Sequence, residues 1–177
     1  GSCLPLSWRR PWLEHDKDTV IDEALAVGYG GIEAYGYHTL ETLQCMIERR
    51  VGGETGVKSV QCLEGDDVWR ARDAGQFSAD LAEAACATVG TRKEGDMEDC
   101  EKPAVFLIEH TDGLRSSALM LNGYLNDWAY AARVDGRIQA TEFYLQPDGP
   151  GASFGYLGRN IQRFFQTGVA PYAPART

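Results

Sequence analysis

The side chains best suited to chemistry in this sequence lie close together between residues 33 and 41. They are a histidine with acidic and phenolic neighbours: Glu33, Tyr35, Tyr37, His38 and Glu41. An imidazole titrates near neutral pH, so His38 can accept a proton from a substrate hydroxyl, and Glu41, about one helical turn later, can orient the ring. We take His38, Glu33 and Glu41 as catalytic candidates and Tyr35 and Tyr37 as substrate-binding candidates. The alternative is that His38 only forms a hydrogen bond at the start of a helix.

The remaining histidines and the cysteines do not have the spacing of a metal site. The three histidines are far apart, and the five cysteines stand at irregular intervals without a Cys-x-x-Cys pair. Zinc sites and disulfide frameworks both depend on such patterns. We therefore expect no metal ion, although Glu33 and His38 are the residues that one would use. Cys45 and Cys62 are predicted to pack as small apolar side chains in a reducing cytoplasm.

Two glycine-rich segments, residues 28–31 and 149–155, resemble the phosphate-binding loops of dinucleotide sites. Such a loop must follow a strand, open a helix and precede an acidic residue on a second strand, and neither segment has that context. We interpret both as turns or helix starts and expect no cofactor-binding residue in this chain.

The helix that would position His38 is the best marked in the sequence. Its apolar residues recur at helical spacing over residues 38–50, and Gly52-Gly53 end it. A strand or short helix is predicted just before it, over residues 21–27. The other predictions are a strand at 57–63, a helix at 67–74 capped by Asp66, a helix at 78–88 capped by Ser78, a mobile loop at 90–101 and a helix at 153–166 stopped by Gly168.

A β-meander is predicted over residues 104–145. Three Asx-Gly turns, Asp112-Gly113, Asn122-Gly123 and Asp135-Gly136, separate four β-rich runs. The runs are apolar on both faces, so one face must be covered by helices and the other by a partner or a site. The expected class is α+β, an open, mainly antiparallel β-sheet with helices packed on one face. We expect a single domain (1–177) with an N-terminal linker or arm at 3–28 and an extended tail at 167–177.

Charge and hydropathy exclude several functional classes. The formal net charge is −9, which disfavours nucleic acid because phosphates require a basic surface. No window approaches the roughly 18 consecutive apolar residues of a membrane span. No secretory signal peptide is visible, so a cytoplasmic location is expected.

The segment from Gly30 to Leu63 resembles the start of the C-terminal domain of the glucose–fructose oxidoreductase/inositol dehydrogenase/MocA family. In that family a Gly-Gly turn leads to a histidine that opens a helix, and an open antiparallel sheet and a terminal helix follow. The opening SCLPLSWRRP is similar to the family's interdomain linker, and the closing GVAPYAP is similar to its Gly-x-x-Pro segment. The resemblance covers nearly the whole chain but only half of the family's architecture.

This resemblance implies a function for the chain together with a Rossmann domain that it lacks. Family members bind NAD or NADP with that N-terminal domain, where a Glu-Lys-Pro lysine is central to catalysis. Glu101-Lys102-Pro103 is similar to that motif but follows His38 by some sixty residues, so we interpret it as a coincidence. Ala34 stands where the family has an aspartate, four residues before the histidine. Of the family's functional residues, only His38 carries over.

The resemblance predicts the substrate-binding and oligomerisation domain of a sugar or polyol oxidoreductase, inactive and without cofactor when alone. The expected partners are further copies of the chain, through the sheet face, and a small sugar or polyol. The alternative is a non-catalytic interaction module that self-associates through its sheet. A third hypothesis is a cofactor-independent lyase or isomerase that uses His38.

Overall fold

A computed structural model of the chain describes residues 3–146 and 153–170, in which one seven-stranded sheet is surrounded by helices. The strands are β1 (Trp8–Arg10), β2 (Glu23–Gly28), β3 (Val57–Glu64), β4 (Lys102–His110), β5 (Arg115–Asn122), β6 (Trp128–Val134) and β7 (Arg137–Tyr144). The α-helices are α1 (Tyr37–Ile47), α2 (Asp66–Asp73), α3 (Ala79–Thr88) and α4 (Phe154–Thr167). Short 3₁₀ turns lie at Leu4–Leu6 and Met97–Asp99, and a π-helical turn, Ile32–Gly36, leads into α1.

The strand order is β1-β7-β6-β2-β5-β4-β3, and every neighbouring pair is antiparallel except β2 with β5. The predicted α+β class with an open, mainly antiparallel sheet is confirmed. The β4–β5 and β6–β7 hairpins form at the predicted turns. Asp135 and Gly136 have the positive φ angles, 50° and 71°, that a tight two-residue hairpin turn requires.

The predicted meander is wrong at its centre, because β2 lies between β5 and β6. Asn122-Gly123 therefore closes no hairpin, and residues 123–127 carry the chain past the end of β2 to β6. Both faces of β2 are apolar, with Ala24 and Ala26 on one side and Leu25 and Val27 on the other. A strand of this kind gains most from the centre of a sheet, since each buried Leu or Val contributes about 2 kcal/mol.

The strand alternative predicted for residues 21–27 is confirmed by β2, but the prediction of a linker or arm at 3–28 is wrong. The segment supplies β1, which pairs with β7 at one edge of the sheet, and β2, the central strand. The alternation of apolar and polar residues in this segment is too short for periodicity alone to assign its strands. β1 pairs with β7 and β2 pairs with β6, and both partners lie more than a hundred residues later in the sequence.

Helices cover both faces of the central strands, whereas the sequence pattern predicted helices on only one face of the sheet. α1 packs on the face that carries Ala24, Ala26 and Ile108, and α3 packs on the face that carries Leu25 and Val27. Alanines dominate where the helices approach, and β6 alone contributes Ala129, Ala131 and Ala132, all fully buried. Small side chains let both helices lie close to the strands.

The sheet is open at β3. This strand is exposed over nearly its whole length, including Val57, Val60 and Cys62, so the expectation that Cys62 packs in the core is wrong. α4 is a second exposed element: its boundaries and its stop at Gly168 are as predicted, but none of its residues is buried. The predicted apolar face of α4 therefore covers no core in the described residues.

Several helix ends differ from the prediction in detail. α1 ends at Ile47, before Arg49 and Arg50, and Asp66 is the first residue of α2 instead of its cap. Ser78 does cap α3, where its hydroxyl oxygen accepts a hydrogen bond from the Leu81 amide.

Residues 90–101, predicted as a mobile loop, are tied to the core by two buried side chains, Met97 and Cys100. The predicted tail is described only to residue 170, and Gly149 to Gly151 of the second glycine-rich segment lie outside the described residues. Among the helices of the described part, none is long and apolar enough to cross a membrane.

Candidate functional site

The predicted site lies at one edge of the sheet, where three central strands end or begin. β2 and β5 are parallel and end at this edge with Gly28 and Asn122, and β6 is antiparallel to β2 and begins here with Trp128. The segment after β2 turns through the π-helical turn into α1, which brings His38 to the same edge. Strand ends at which the chain changes direction leave room for a ligand between elements.

Gly28 lets α1 approach this edge closely. A Cβ at residue 28 would overlap Thr39 Oγ1 and would lie 2.8 Å from Trp128 Cδ1. Thr39 is buried in the first turn of α1, with its hydroxyl 3.1 Å from Met120 Sδ. The glycine run at residues 28–31 therefore serves close packing, in agreement with its interpretation as a helix start.

His38 and Glu41 form the pair that the sequence predicts. His38 Nδ1 lies 3.3 Å from Glu41 Oε2, one turn apart on α1. When Nδ1–H donates to this carboxylate, the lone pair of the neutral ring is on Nε2, for which the described residues provide no hydrogen-bond partner. The His38 side chain is 34% exposed and that of Glu41 15%, so a base held by a half-buried carboxylate faces accessible space.

Aromatic rings surround this imidazole. The Tyr35, Tyr37 and Trp128 rings lie 6.0, 5.6 and 5.9 Å from the His38 ring, each edge-on. Trp128 is the centre of the group, since Tyr35 stacks on it at 5.8 Å and Tyr29 contacts it at 4.7 Å. These rings give His38 an apolar setting of a kind that holds the faces of small organic ligands.

Sequence reasoning missed Trp128, Tyr29 and Asn122. Trp128 belongs to the aromatic cluster around His38 only because β6 lies beside β2. In the predicted sequential meander, β6 would not have β2 as its neighbour. Tyr29 carried a signal, because it directly follows a strand and is flanked by glycines. Asn122 was interpreted as a turn residue, yet its side-chain oxygen accepts a hydrogen bond from the Gly30 amide at 3.1 Å and ties the end of β5 to the loop after β2.

The two other predicted site residues have different outcomes. Tyr37 is exposed and contacts His38, so it lies at the rim of the site. Glu33 is exposed in the π-helical turn, and the structure gives it no hydrogen bond or ion pair with any described residue. The geometry thus groups Glu41, Tyr35 and Tyr37 with His38 and leaves Glu33 apart.

The polar groups at this edge are partly desolvated. The Trp128 indole N–H is buried and has no hydrogen-bond partner within the described residues. Burial raises the pKa of the neighbouring Asp127 carboxyl, although Thr91 Oγ1 donates a hydrogen bond to it at 2.8 Å. Burial, followed by the nearby Tyr35, raises the pKa of the Tyr29 phenol. An unpaired buried donor costs about 1–3 kcal/mol, so the indole N–H is a group that a ligand or water would satisfy.

The remaining histidines lie elsewhere and have partners inside the protein. His15 Nε2 lies 3.0 Å from the Tyr130 hydroxyl, and His110 Nε2 lies 2.9 Å from Ser116 Oγ. Among the described residues no three His, Cys, Asp or Glu side chains converge on a position for a metal ion. Lys102 is exposed at the start of β4, opposite Asn122 and two strands from β2.

The site is therefore a histidine–glutamate pair within an aromatic cluster, suited to proton transfer with an uncharged polar ligand. Comparison of the chain with protein-family models, curated proteins and solved structures returned no match.

Proposed function

We propose that this chain is the substrate-binding and oligomerisation domain of an NAD(P)-dependent sugar or polyol oxidoreductase, with the substrate bound at His38. The observation that carries the proposal is the His38–Glu41 pair, whose free Nε2 is set among aromatic rings. Sugars and polyols combine hydroxyl groups with C–H faces. The imidazole can bind a hydroxyl group, and the aromatic rings can pack against a C–H face.

The reaction divides between this chain and a dinucleotide domain. His38 Nε2 accepts the proton of a substrate hydroxyl, and Glu41 stabilises the resulting imidazolium through Nδ1. An oxidised nicotinamide held by the other domain would accept the hydride from the carbon that bears this hydroxyl, so that the alcohol would become a carbonyl. The glycine run at 28–31 does follow β2, which is parallel to β5, and leads into α1, but β5 carries no acidic residue and ends with Asn122. We therefore expect no dinucleotide binding to this chain alone.

The binding half of this proposal can be tested directly. We expect myo-inositol or a hexose to bind with a Kd of roughly millimolar order in calorimetry, and His38→Ala to weaken it at least about fivefold. Glu41→Gln should also weaken binding, because it removes the carboxylate that orients the His38 ring, whereas the matched control Glu33→Gln should not, because Glu33 is exposed and unpaired in the described structure. The proposal fails if neither ligand class binds, or if His38→Ala binds as tightly as the native chain.

A second measurement addresses the cofactor. Titration with NADH or NADPH should produce no fluorescence change at micromolar concentrations of the isolated chain. Micromolar binding would show that the chain carries its own dinucleotide site and would overturn the proposed division of labour.

Self-association is the alternative function, and β3 is the observation that favours it. This strand is an edge of the sheet with apolar Val57 and Val60 exposed, and Val60 is 58% exposed. Unpaired edges of this kind pair readily with other strands, and this one is interrupted by Lys58, by the irregular register between Val57 and Ser59, and by Glu64 at its end. We propose that two copies associate through β3 and the adjoining sheet surface.

Light scattering at several concentrations tests this association. We expect a dimer that Val60→Lys converts to monomer, and the matched exposed control Val51→Lys to leave the dimer intact, because Val51 lies outside the sheet. A strict monomer at all concentrations would refute the interface and the oligomerisation half of the first proposal, but not substrate binding at His38.

A further inference from the structure

A pocket of about 350 Å³ lies at the other end of α1, between β1, the segment after it and the last turns of the helix. This volume is within the range of small-molecule sites, roughly 300–1,000 Å³. Its wall combines cationic, aromatic and thiol side chains: Arg9, Arg49, Trp8, Trp12, Tyr156 and Cys45. Cys45 follows His38 by seven residues on one helix, roughly 10 Å along its axis, so this pocket is separate from the His38 site.

Arg9 supplies a largely buried positive charge to this wall. Its guanidinium stacks on the Phe143 ring at 3.9 Å and donates to the carbonyl oxygens of Ser7 and Pro5. Its Nε is buried without a hydrogen-bond partner, and burial lowers the pKa of the group. Carbonyl oxygens satisfy hydrogen bonds but do not neutralise the charge.

The residues around Arg9 compensate that charge only in part, because the nearby Glu14 carboxylate favours the charged guanidinium without forming an ion pair with it. Cys45 Sγ lies 3.9 Å from Arg9 Nη2, but burial raises the pKa of this thiol to about 12, so it is neutral at physiological pH. Glu14, also in the pocket wall, is engaged by Arg49 at 2.8 Å. Buried cations are normally paired with anions, and here the described residues offer Arg9 no carboxylate ion pair.

The rim of the pocket is aromatic and exposed. Trp12 is 75% exposed and Trp8 51% exposed. Trp8 Nε1 donates to Tyr156 Oη at 3.4 Å, which brings α4 to the pocket. The exposed indole rings provide a surface on which a ring can stack, and the adjacent arginines provide a positive charge for the same ligand.

We propose that this pocket binds a small anionic ligand in which a carboxylate or phosphate group is attached to a ring. The anionic group lies against Arg9 and Arg49, and the ring stacks on Trp8 or Trp12. The guanidinium fork suits carboxylate and phosphate oxygens equally, so both groups share the recognition chemistry.

Calorimetric titration of the whole chain with matched probes tests this proposal. Glucose 6-phosphate and glucuronate are compared with glucose, and phenyl phosphate and benzoate with benzamide. We expect at least one anionic probe to bind about tenfold more tightly than its neutral counterpart, and more tightly than inorganic phosphate. A preference in the first set identifies a sugar anion, and one in the second set identifies an aromatic anion.

Substitutions locate the binding. Arg49→Gln and Trp12→Ala alter exposed or half-exposed side chains that folding does not require, and each should weaken the preferred probe by at least about fivefold. Arg70→Gln, which removes a similar surface ion pair on α2, and His38→Ala should leave it unchanged. The proposal is overturned if anionic probes bind no better than neutral ones, if phosphate alone binds as well as the ring compounds, or if both pocket variants bind like the native chain.

Discussion

The two ends of α1 are held against the sheet by different forces, and each end borders a different kind of site. At the amino end, Gly28 removes a side chain so that Thr39 and Trp128 can meet over β2. At the carboxyl end, Arg49 and Arg50 form ion pairs with Glu14 and Asp112 just beyond the last turn. Cations are favourable at this end because the unpaired carbonyl groups of a helix terminus carry partial negative charge.

This difference indicates what each end can bind. In the described part of the chain, the residues that contact His38 include no arginine or lysine, so the affinity of this end for a ligand depends on shape, aromatic contact and the imidazole itself. The pocket at the carboxyl end is lined by two arginines, Arg9 and Arg49, and by one carboxylate, Glu14, which supports the proposal of an anionic ligand. One helix thus separates the site proposed for uncharged hydroxyl compounds from the pocket proposed for anions.

Gly28→Ala should have the largest effect, because it tests the close packing of the amino end of α1 against β2. The new methyl group would overlap Thr39 Oγ1, which is itself buried, so we expect a loss of about 3 kcal/mol in the free energy of unfolding. Urea denaturation measures it. Gly31→Ala is the matched control, because a Cβ at residue 31 meets nothing within 4 Å, and it should change stability by less than about 0.5 kcal/mol. Equal effects of the two changes would show that close packing does not hold this end.

Charge at the carboxyl end is tested by Arg50→Gln. Arg50 is 5% exposed and donates to Asp112 at 2.8 Å, to Thr55 and to the Ile47 carbonyl, so its loss should cost about 2 kcal/mol. Arg49→Gln breaks a more exposed ion pair and should cost less than about 1 kcal/mol. If both variants unfold at the same urea concentration, the buried ion pair is not what anchors the helix.

The smallest expected effect is on the pH dependence of the free energy of unfolding, to which His15 contributes near the carboxyl end of α1. Burial, followed by the charge of Arg49, lowers the pKa of His15 in the folded state. The unfolded chain then binds the proton first, so the stability that neutral His15 provides is present above about pH 6.5 and is lost as the pH falls below it. Burial, followed by Arg50, lowers the pKa of His110 in the same direction.

His15→Gln isolates the contribution of His15. The amide can still reach the Tyr130 hydroxyl but cannot titrate, so the variant should lose less stability than the native chain between pH 7 and pH 5. Thermal unfolding across this range measures the difference, and His110 should leave a residual slope in both proteins. Parallel curves would contradict the assignment to His15.

Local sequence signals predicted most of the elements but not their arrangement. The Asx-Gly turns, the Ser78 cap and the Gly168 stop are formed by neighbouring residues, so their chemistry is complete within a few positions. The insertion of β2 between β5 and β6 depends on residues about 90 to 110 positions apart, and no local pattern contains that information. The assignment of 3–28 as a linker or arm was wrong for the same reason.

The candidate site shows the same division. His38 and Glu41 lie one helical turn apart, so helical periodicity was enough to predict their contact. Trp128, by contrast, reaches His38 only because β6 lies beside β2. Arg9 becomes a pocket residue only because β1 pairs with β7 and places it over Phe143.

By itself, the sequence determined the α+β class, the helices, the two outer hairpins and the His38–Glu41 pair, because each depends on spacing within one segment. Only the tertiary structure decided that β2 is the central strand, that helices cover both faces, that β3 and α4 remain exposed, and that an aromatic and a cationic site lie at opposite ends of α1. The physical reason is that burial and charge pairing act between segments distant in sequence, and their outcome depends on which strands become neighbours.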